Sequence, residues 1–310
     1  MKVKDAKILA KLAYLRSPNT VRVLYYGQFQ NLQCLVTTRM KTFKPPRVER
    51  YEPGIEYPVK FYTLEDCLRE VKQLDMPWCV HIIQQTFYCV KDLHKAGYSH
   101  LAISPSNFSF LVRDQRIMAF TNFEFARTRQ SLREKKPIFP EDTSRRRKPK
   151  RLPKLHMRPY MSRRQHLRMV KGPADDYESW FYVCARVLNE KKPLKWVAHK
   201  SPEPLTHMQM AKMKYEFLGQ YKHPDKLADK KMKQILNYCL AVTDSNTNKV
   251  AYFIERIIQH WMEKLAKQKK EPIPWVDKSY SEKNAMEHAK VFLDDNKEWF
   301  KPKPARVCKY

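Results

Sequence analysis

The chain has 310 residues, 43% of them hydrophobic and 30% charged, and its 61 Lys and Arg against 32 Asp and Glu give a formal net charge of +29. That apolar share builds a sizeable core and excludes global disorder, while apolar runs broken by Lys, Arg or Gln fall short of the roughly 18 to 20 residues that a membrane span needs. The cation excess predicts acidic or phosphate-bearing partners and strong salt dependence, and says nothing of fold.

Lys4 to Leu15 carries Ala6, Ile8, Leu9, Leu12 and Leu15 at helical spacing, and Ser17, Pro18 and Asn19 stop it. Two β-rich runs, Val21 to Tyr26 and Leu32 to Thr38, read as a hairpin joined around Gly27. Lys41 to Val59 holds Pro45, Pro46, Pro53 and Pro58 among mixed charges and predicts an irregular connection. A short helical segment runs from Thr63 to Val71. A longer one, Trp78 to Ala96, places Cys79, Ile82, Ile83, Phe87, Val90 and Leu93 on one face and closes at Gly97 as a left-handed cap. Phe108 to Val112 and Ile117 to Phe120 flank a polar turn at Asp114. Between Arg145 and Arg168 lie eleven Lys or Arg and no acid, within a long loop. Helices are predicted again at Asp176 to Leu188, Asp229 to Leu240 and Asn248 to Lys267, the last striped by Val250, Phe253, Ile254, Ile257, Ile258, Trp261 and Leu265. No internal repeat is seen. The start, Met1 to Asp5, lacks a secretory pattern, and seven Cys without CxxC pairs read as reduced thiols, which predicts an intracellular protein of cytoplasm or nucleus with no membrane partner. Five scattered Gly leave no GxGxxG or GxxxxGKS phosphate cradle.

Several segments, taken in order, resemble a protein kinase of the casein kinase I superfamily, in its tau-tubulin kinase-like branch. HLAISPSNF (His100 to Phe108) resembles the catalytic loop HRDIKPSNF, NFEFAR (Asn122 to Arg127) resembles DFGLAR, and PYMS (Pro159 to Ser162) with His166 is similar to RYAS and its following His. DDYESWFYV from Asp175 is similar to DDLESLGYV, and TLEDC (Thr63 to Cys67) to SLEDL. The resemblance implies an α+β, protein kinase-like fold. Residues 1–40 would form a truncated N-lobe with a C helix and two strands, 41–62 a hinge-proximal insert near the adenine mouth, 63–292 a mainly helical C-lobe with a long basic activation segment at 122–162, and 293–310 a tail.

The departures from that pattern set the functional expectation. In-line phosphoryl transfer uses one Asp to accept the hydroxyl proton, a second to hold Mg2+, a Lys on the phosphates and a Gly-rich loop over them. The first Asp is Ala102 and the second is Asn122, an amide with one oxygen for a cation that prefers carboxylate. Ser104 replaces the loop Lys and Leu101 the Arg; Asn107, the second metal ligand, matches. Asp5 aligns with the C-helix acid, so a chain starting at Met1 has no room for the Gly-rich loop and Lys. An upstream start could restore both, but not Ala102. Losing a general base alone forfeits about 10² to 10⁴ in rate. The expectation is therefore a pseudokinase with no catalytic residues and weak or absent ATP and magnesium binding.

Competing readings accompany each residue. His100 is either a general base or a half-buried ring bracing the loop, the second being favoured by the resemblance. Asp176 is read as a helix anchor that accepts bonds from the loop backbone, and Asp175 as less constrained, solvated charge. Asn107 and Asn122 are weak metal ligands or, preferably, loop amides bonding nearby backbone. The aromatics Phe87, Tyr88, Trp180, Phe181, Phe253 and Trp261 read as core. The basic run supplies a candidate anion-docking surface of Arg145, Arg146, Arg147, Lys148, Lys150, Arg151, Arg158, Arg163 and Arg164, against the alternative of a solvated face. The favoured function is a scaffold or competitive binder of acidic or phosphorylated protein segments. One rival is an active serine/threonine kinase in which Asp114 or Glu124 replaces the lost carboxylates, and another is a basic protein associated non-specifically with nucleic acid. Oligomeric state is not legible.

Overall fold

A computed structural model describes residues 3–21, 23–29, 32–37, 63–70, 74–110, 117–129, 159–167, 169, 172–189, 194–197, 205–243 and 245–269. The 41–62 insert, Asp114, most of the basic segment and the 293–310 tail lie outside them. Among the described residues the chain is α+β and mostly helical, with three two-stranded antiparallel sheets. No helix among them is long and apolar enough to cross a membrane.

Helix α1 (Val3–Tyr14) buries Ala6, Ile8, Leu9 and Leu12, the spacing read from the sequence, against strand β1 (Val23–Phe29) and helix α3 (Met76–Lys95). Strand β2 (Leu32–Thr37) pairs antiparallel with β1, from Val23↔Thr37 to Phe29↔Leu32. The hairpin forms, but Gly27 does not make its turn: it lies inside β1 opposite Cys34. Side chains two apart share a strand face, and a Cβ on Gly27 would come within 2.3 Å of the Tyr25 hydroxyl. The glycine therefore makes room for a same-face tyrosine. Polar bonds add to this apolar packing. Ser17 Oγ donates to Asp92 at 2.5 Å, and the Asn19 amide donates to Gln85 at 2.9 Å and to Met118 O at 2.8 Å.

After the short helix α2 (Leu64–Glu70), α3 is the spine of the fold. Asp75 caps it by accepting from Trp78 N at 2.9 Å, Pro77 sits in its first turn, and Gly97 with φ +82° ends it. Its apolar face meets helix α5 (Pro173–Leu188) and helix α8 (Thr247–Lys269), while helix α7 (Lys226–Leu240) packs on both of those. Trp180 of α5 packs tilted against Phe87, with ring centroids 5.3 Å apart, and donates its indole N–H to Thr86 at 3.0 Å. Lys91 joins α3 to α8 by an ion pair with Glu255 at 2.8 Å. Val250, Ile254, Ile258, Trp261 and Leu265 bury the stripe predicted for α8, with Phe253 and Ile257 at its half-buried edge. A one-turn helix α4 (Arg163–His166) leads into α5, and helix α6 (His207–Gly219), which the sequence pattern did not reveal, packs on α4. Five described cysteines, Cys67, Cys79, Cys89, Cys184 and Cys239, are buried free thiols, and burial pushes those of Cys89, Cys184 and Cys239 up, away from the reactive thiolate.

Candidate functional site

Two minimal ladders build the site. Strand β3 (Tyr98–Ser99) pairs with β6 (Arg127–Thr128), and β4 (Phe108–Phe110) with β5 (Met118–Phe120). The loop 100–107 follows β3 and the loop 121–126 precedes β6, so the two pairings set them side by side. Thr121 N donates across to Asn107 O at 3.0 Å. Beside them, a small cavity of about 120 Å³ is lined by Asp5 and Leu9 of α1, Val21, Leu35, Thr37, Phe120 and Phe123.

Asp176, in the first turn of α5 and 1% exposed, holds the first loop. Its carboxylate accepts the backbone N–H of His100 and of Leu101, each at 2.7 Å, and His94 Nε2 at 2.9 Å. A negative charge at a helix N-terminus is favourable in itself. Leu101 has φ +63°, a left-handed backbone that costs a branched residue about 1–2 kcal/mol, and the carboxylate fixes the two amides that define that bend. From the other side, the Gln165 amide donates to Leu101 O at 3.0 Å.

The ring of His100 is fully committed. Its Nδ1 accepts the Ala102 N–H at 3.3 Å, so Nε2 carries the hydrogen and donates to Asn122 O at 2.8 Å. The ring stacks on Phe120 at 4.3 Å. With both ring nitrogens bonded to backbone, this imidazole braces the two loops against each other. Asn107 donates its amide to Ala102 O at 2.6 Å, and Asn122 Oδ1 accepts Glu124 N–H at 2.9 Å. Ser104 Oγ pairs with Ser106 Oγ at 2.8 Å. Ala102, 4% exposed, offers only a methyl group. A magnesium ion of the kind the resemblance implies needs oxygen ligands, carboxylates above all. Positions 102 and 122 bring no carboxylate: Asn107 gives its amide N–H to backbone, Asn122 accepts one through Oδ1, and among the described residues no group of three His, Cys, Asp or Glu is placed to hold a metal ion.

Asp175 is not the solvated charge that the sequence suggests. It is 1% exposed, accepts Ser162 Oγ at 2.5 Å and Gly172 N at 2.7 Å, and burial pushes its carboxyl up to about 6. It is a buried connector between α4 and α5, not solvated charge. Local capping explains this: Ser162 caps α4 in a box with Gln165, and Asp175 accepts the N–H of Gly172, which precedes α5.

A second buried centre was not foreseen. Lys214 of α6 is 0% exposed; its amino group donates to Met161 O, meets His166 Nε2 at 2.9 Å, and lies 4.9 Å over Tyr182 and 5.3 Å over Trp196. His166 Nδ1 in turn meets His207 Nδ1 at 2.9 Å. Burial holds the Lys214 pKa well below the ordinary lysine value, against the pull of Glu178.

Of the docking cations, Arg145, Arg146, Arg147, Lys148, Lys150, Arg151 and Arg158 lie outside the described residues. Arg163 pairs with Glu178 at 3.1 Å and Arg164 lines the surface between α4 and α6. His100, Ala102, Asn107, Asn122 and Asp176 are brought into one bonded network; Arg163 and Arg164 stand apart from it. Compared with protein-family models and with curated proteins, the chain finds no match in either.

Proposed function

We propose that the chain is a catalytically inactive, casein kinase I-like pseudokinase that acts as a scaffold or competitive binder of acidic or phosphorylated protein segments. The observation that carries the reading is the loop 100–107. Its backbone is bent and clamped by Asp176, braced by His100 and tied to the 121–126 loop, yet the resemblance places a proton-accepting Asp at Ala102 and a metal-holding Asp at Asn122. The position of buried Asp5 on α1, across a small cavity from Phe123, is in keeping with a C helix facing the DFG-like segment. The catalytic architecture would then serve as a rigid frame without its reacting groups.

The test is transfer from radiolabelled ATP to casein and tubulin-derived peptides, with thermal shift in magnesium-ATP. No incorporation above a mock preparation and no magnesium-dependent shift are expected. Incorporation that disappears on Glu124→Ala would replace this reading with that of an active kinase using a rearranged carboxylate.

A further inference from the structure

Helices α4 and α6 enclose an open groove of about 440 Å³. Its apolar surface is Leu167, Met208 and Tyr215, which are 43%, 68% and 69% exposed. Single exposed apolar side chains are ordinary on a protein surface. Here three large ones from two neighbouring segments face one concavity, where a single partner segment can cover them together. The charged lining residues are all cations: Arg164, Lys212 and Arg163, whose guanidinium is fixed by Glu178 and lies 5.7 Å from the Tyr215 ring centroid. In sequence, the run of cations from Arg145 ends in this wall.

The geometry points to a docking site for an acidic, partly apolar peptide segment of a partner protein. One or two large aliphatic or aromatic side chains would cover Leu167, Met208 and Tyr215, and flanking carboxylates would face Arg164 and Lys212. The volume falls within the roughly 300–1,000 Å³ of sites that hold a compact ligand. A second copy of this chain is a poor occupant, because it would bring the same cations and a formal +29 of its own. A nucleic acid would satisfy the cations and leave the methionine and leucine uncovered by phosphate and sugar. The inference rests on the binding half of the pseudokinase reading and adds the partner's chemistry: charge alone does not suffice.

The experiment is fluorescence anisotropy with the full chain and a labelled short peptide of glutamates bearing two leucines one helical turn apart. The same peptide with serine for leucine and a single-stranded poly-uridine RNA are the comparators. The leucine peptide should bind about tenfold or more tightly than the serine peptide, and Met208→Asp should remove that advantage. Lys212→Glu should weaken binding a few-fold at low salt and less at high salt. Met208 and Lys212 are exposed, so both variants should fold. Equal affinity for the two peptides, or full binding by Met208→Asp, overturns the proposal. So does RNA binding lost on Met208→Asp, or self-association abolished by it. The kinase assay reports separately: phosphotransfer with intact peptide docking would sink the pseudokinase reading and leave the groove, and the reverse result would do the opposite.

Discussion

Replacing Asp176 with Ala would strip three donors of their acceptor at once: the N–H groups of His100 and Leu101 at 2.7 Å and His94 Nε2 at 2.9 Å, around a carboxylate that is 1% exposed. Hydrogen bonds to a charged group contribute about 1.5–3 kcal/mol each. They do not add fully, because removing the acid also removes its own desolvation cost and lets Leu101 relax from φ +63°, recovering ~1–2 kcal/mol. Leaving a buried donor without its acceptor costs about 1–3 kcal/mol, so with three donors orphaned and that recovery deducted the loss expected for Asp176→Ala is about 3–5 kcal/mol. For a chain of this size it corresponds to a fall of ~10 °C in the thermal midpoint. Asp176→Asn keeps one oxygen and should lose less. The assay is urea and thermal unfolding, joined to hydrogen exchange at the His100 and Leu101 amides, whose protection should collapse in the Ala variant. A loss below about 1 kcal/mol, with those amides still protected, would show that the loop is held by other means and would refute the clamp.

Two further predictions concern pH. The Asp175 carboxyl is pushed from 3.8 up to about 6 by burial; its protonated form is the favoured one in the fold, so its contribution is full below 3.8 and is lost as pH rises through about 6. That gap is worth ~3 kcal/mol, and the stability difference between wild type and Asp175→Asn, followed by urea unfolding from pH 4 to pH 8, should change in that direction; a difference independent of pH would contradict the buried assignment. For Lys214 the sign is opposite. Its folded pKa lies well below 10.5, so the unfolded chain binds more protons between the two values and stability from this group rises with pH up to the unfolded value. Wild type should gain stability relative to Lys214→Met between pH 7 and pH 10, and an unchanged difference would mean that the amine is not in an apolar surround.

Much of the helical part was legible because burial repeats at the helical period. Cys79, Ile82, Ile83, Phe87, Val90 and Leu93 are all buried on α3, and Gly97 takes the left-handed cap its position implies. The short β4–β5 pair was legible from its apolar ends. Helix α6 was not, since its interior positions are Ala211, Lys214 and Leu218: a lysine in the apolar stripe hides the stripe, and only tertiary partners from Met161, His166, Tyr182 and Trp196 make that burial tolerable. Gly27 misled for a related reason, a same-face tyrosine two residues away that no turn rule takes into account. At the site, motif order pointed to His100, Asn107, Asn122 and Asp176. The contacts that fix the geometry, His94 to Asp176 across 82 residues and Gln165 to Leu101 across 64, join segments with no local pattern in common.

On the pseudokinase reading, the presence of one acid and the absence of the two that the resemblance implies follow from what each would have to hold. Asp176 is matched to backbone N–H groups that any sequence at positions 100 and 101, proline aside, would carry, so its removal leaves buried donors that no neighbour can satisfy. A carboxylate at position 102 would occupy a site 4% exposed, beside an Asn107 amide already given to Ala102 O. Without a cation or a substrate hydroxyl to meet it, such a charge costs several kcal/mol in desolvation, whereas a methyl group there costs nothing. Asn122 follows the same logic in milder form. As an amide it still accepts the Glu124 N–H and leaves its own carbonyl to His100, without placing a second negative charge in the loop. On the pseudokinase reading, then, the substitutions at 102 and 122 relieve the site of unpaired charge while every bond that shapes the backbone is kept.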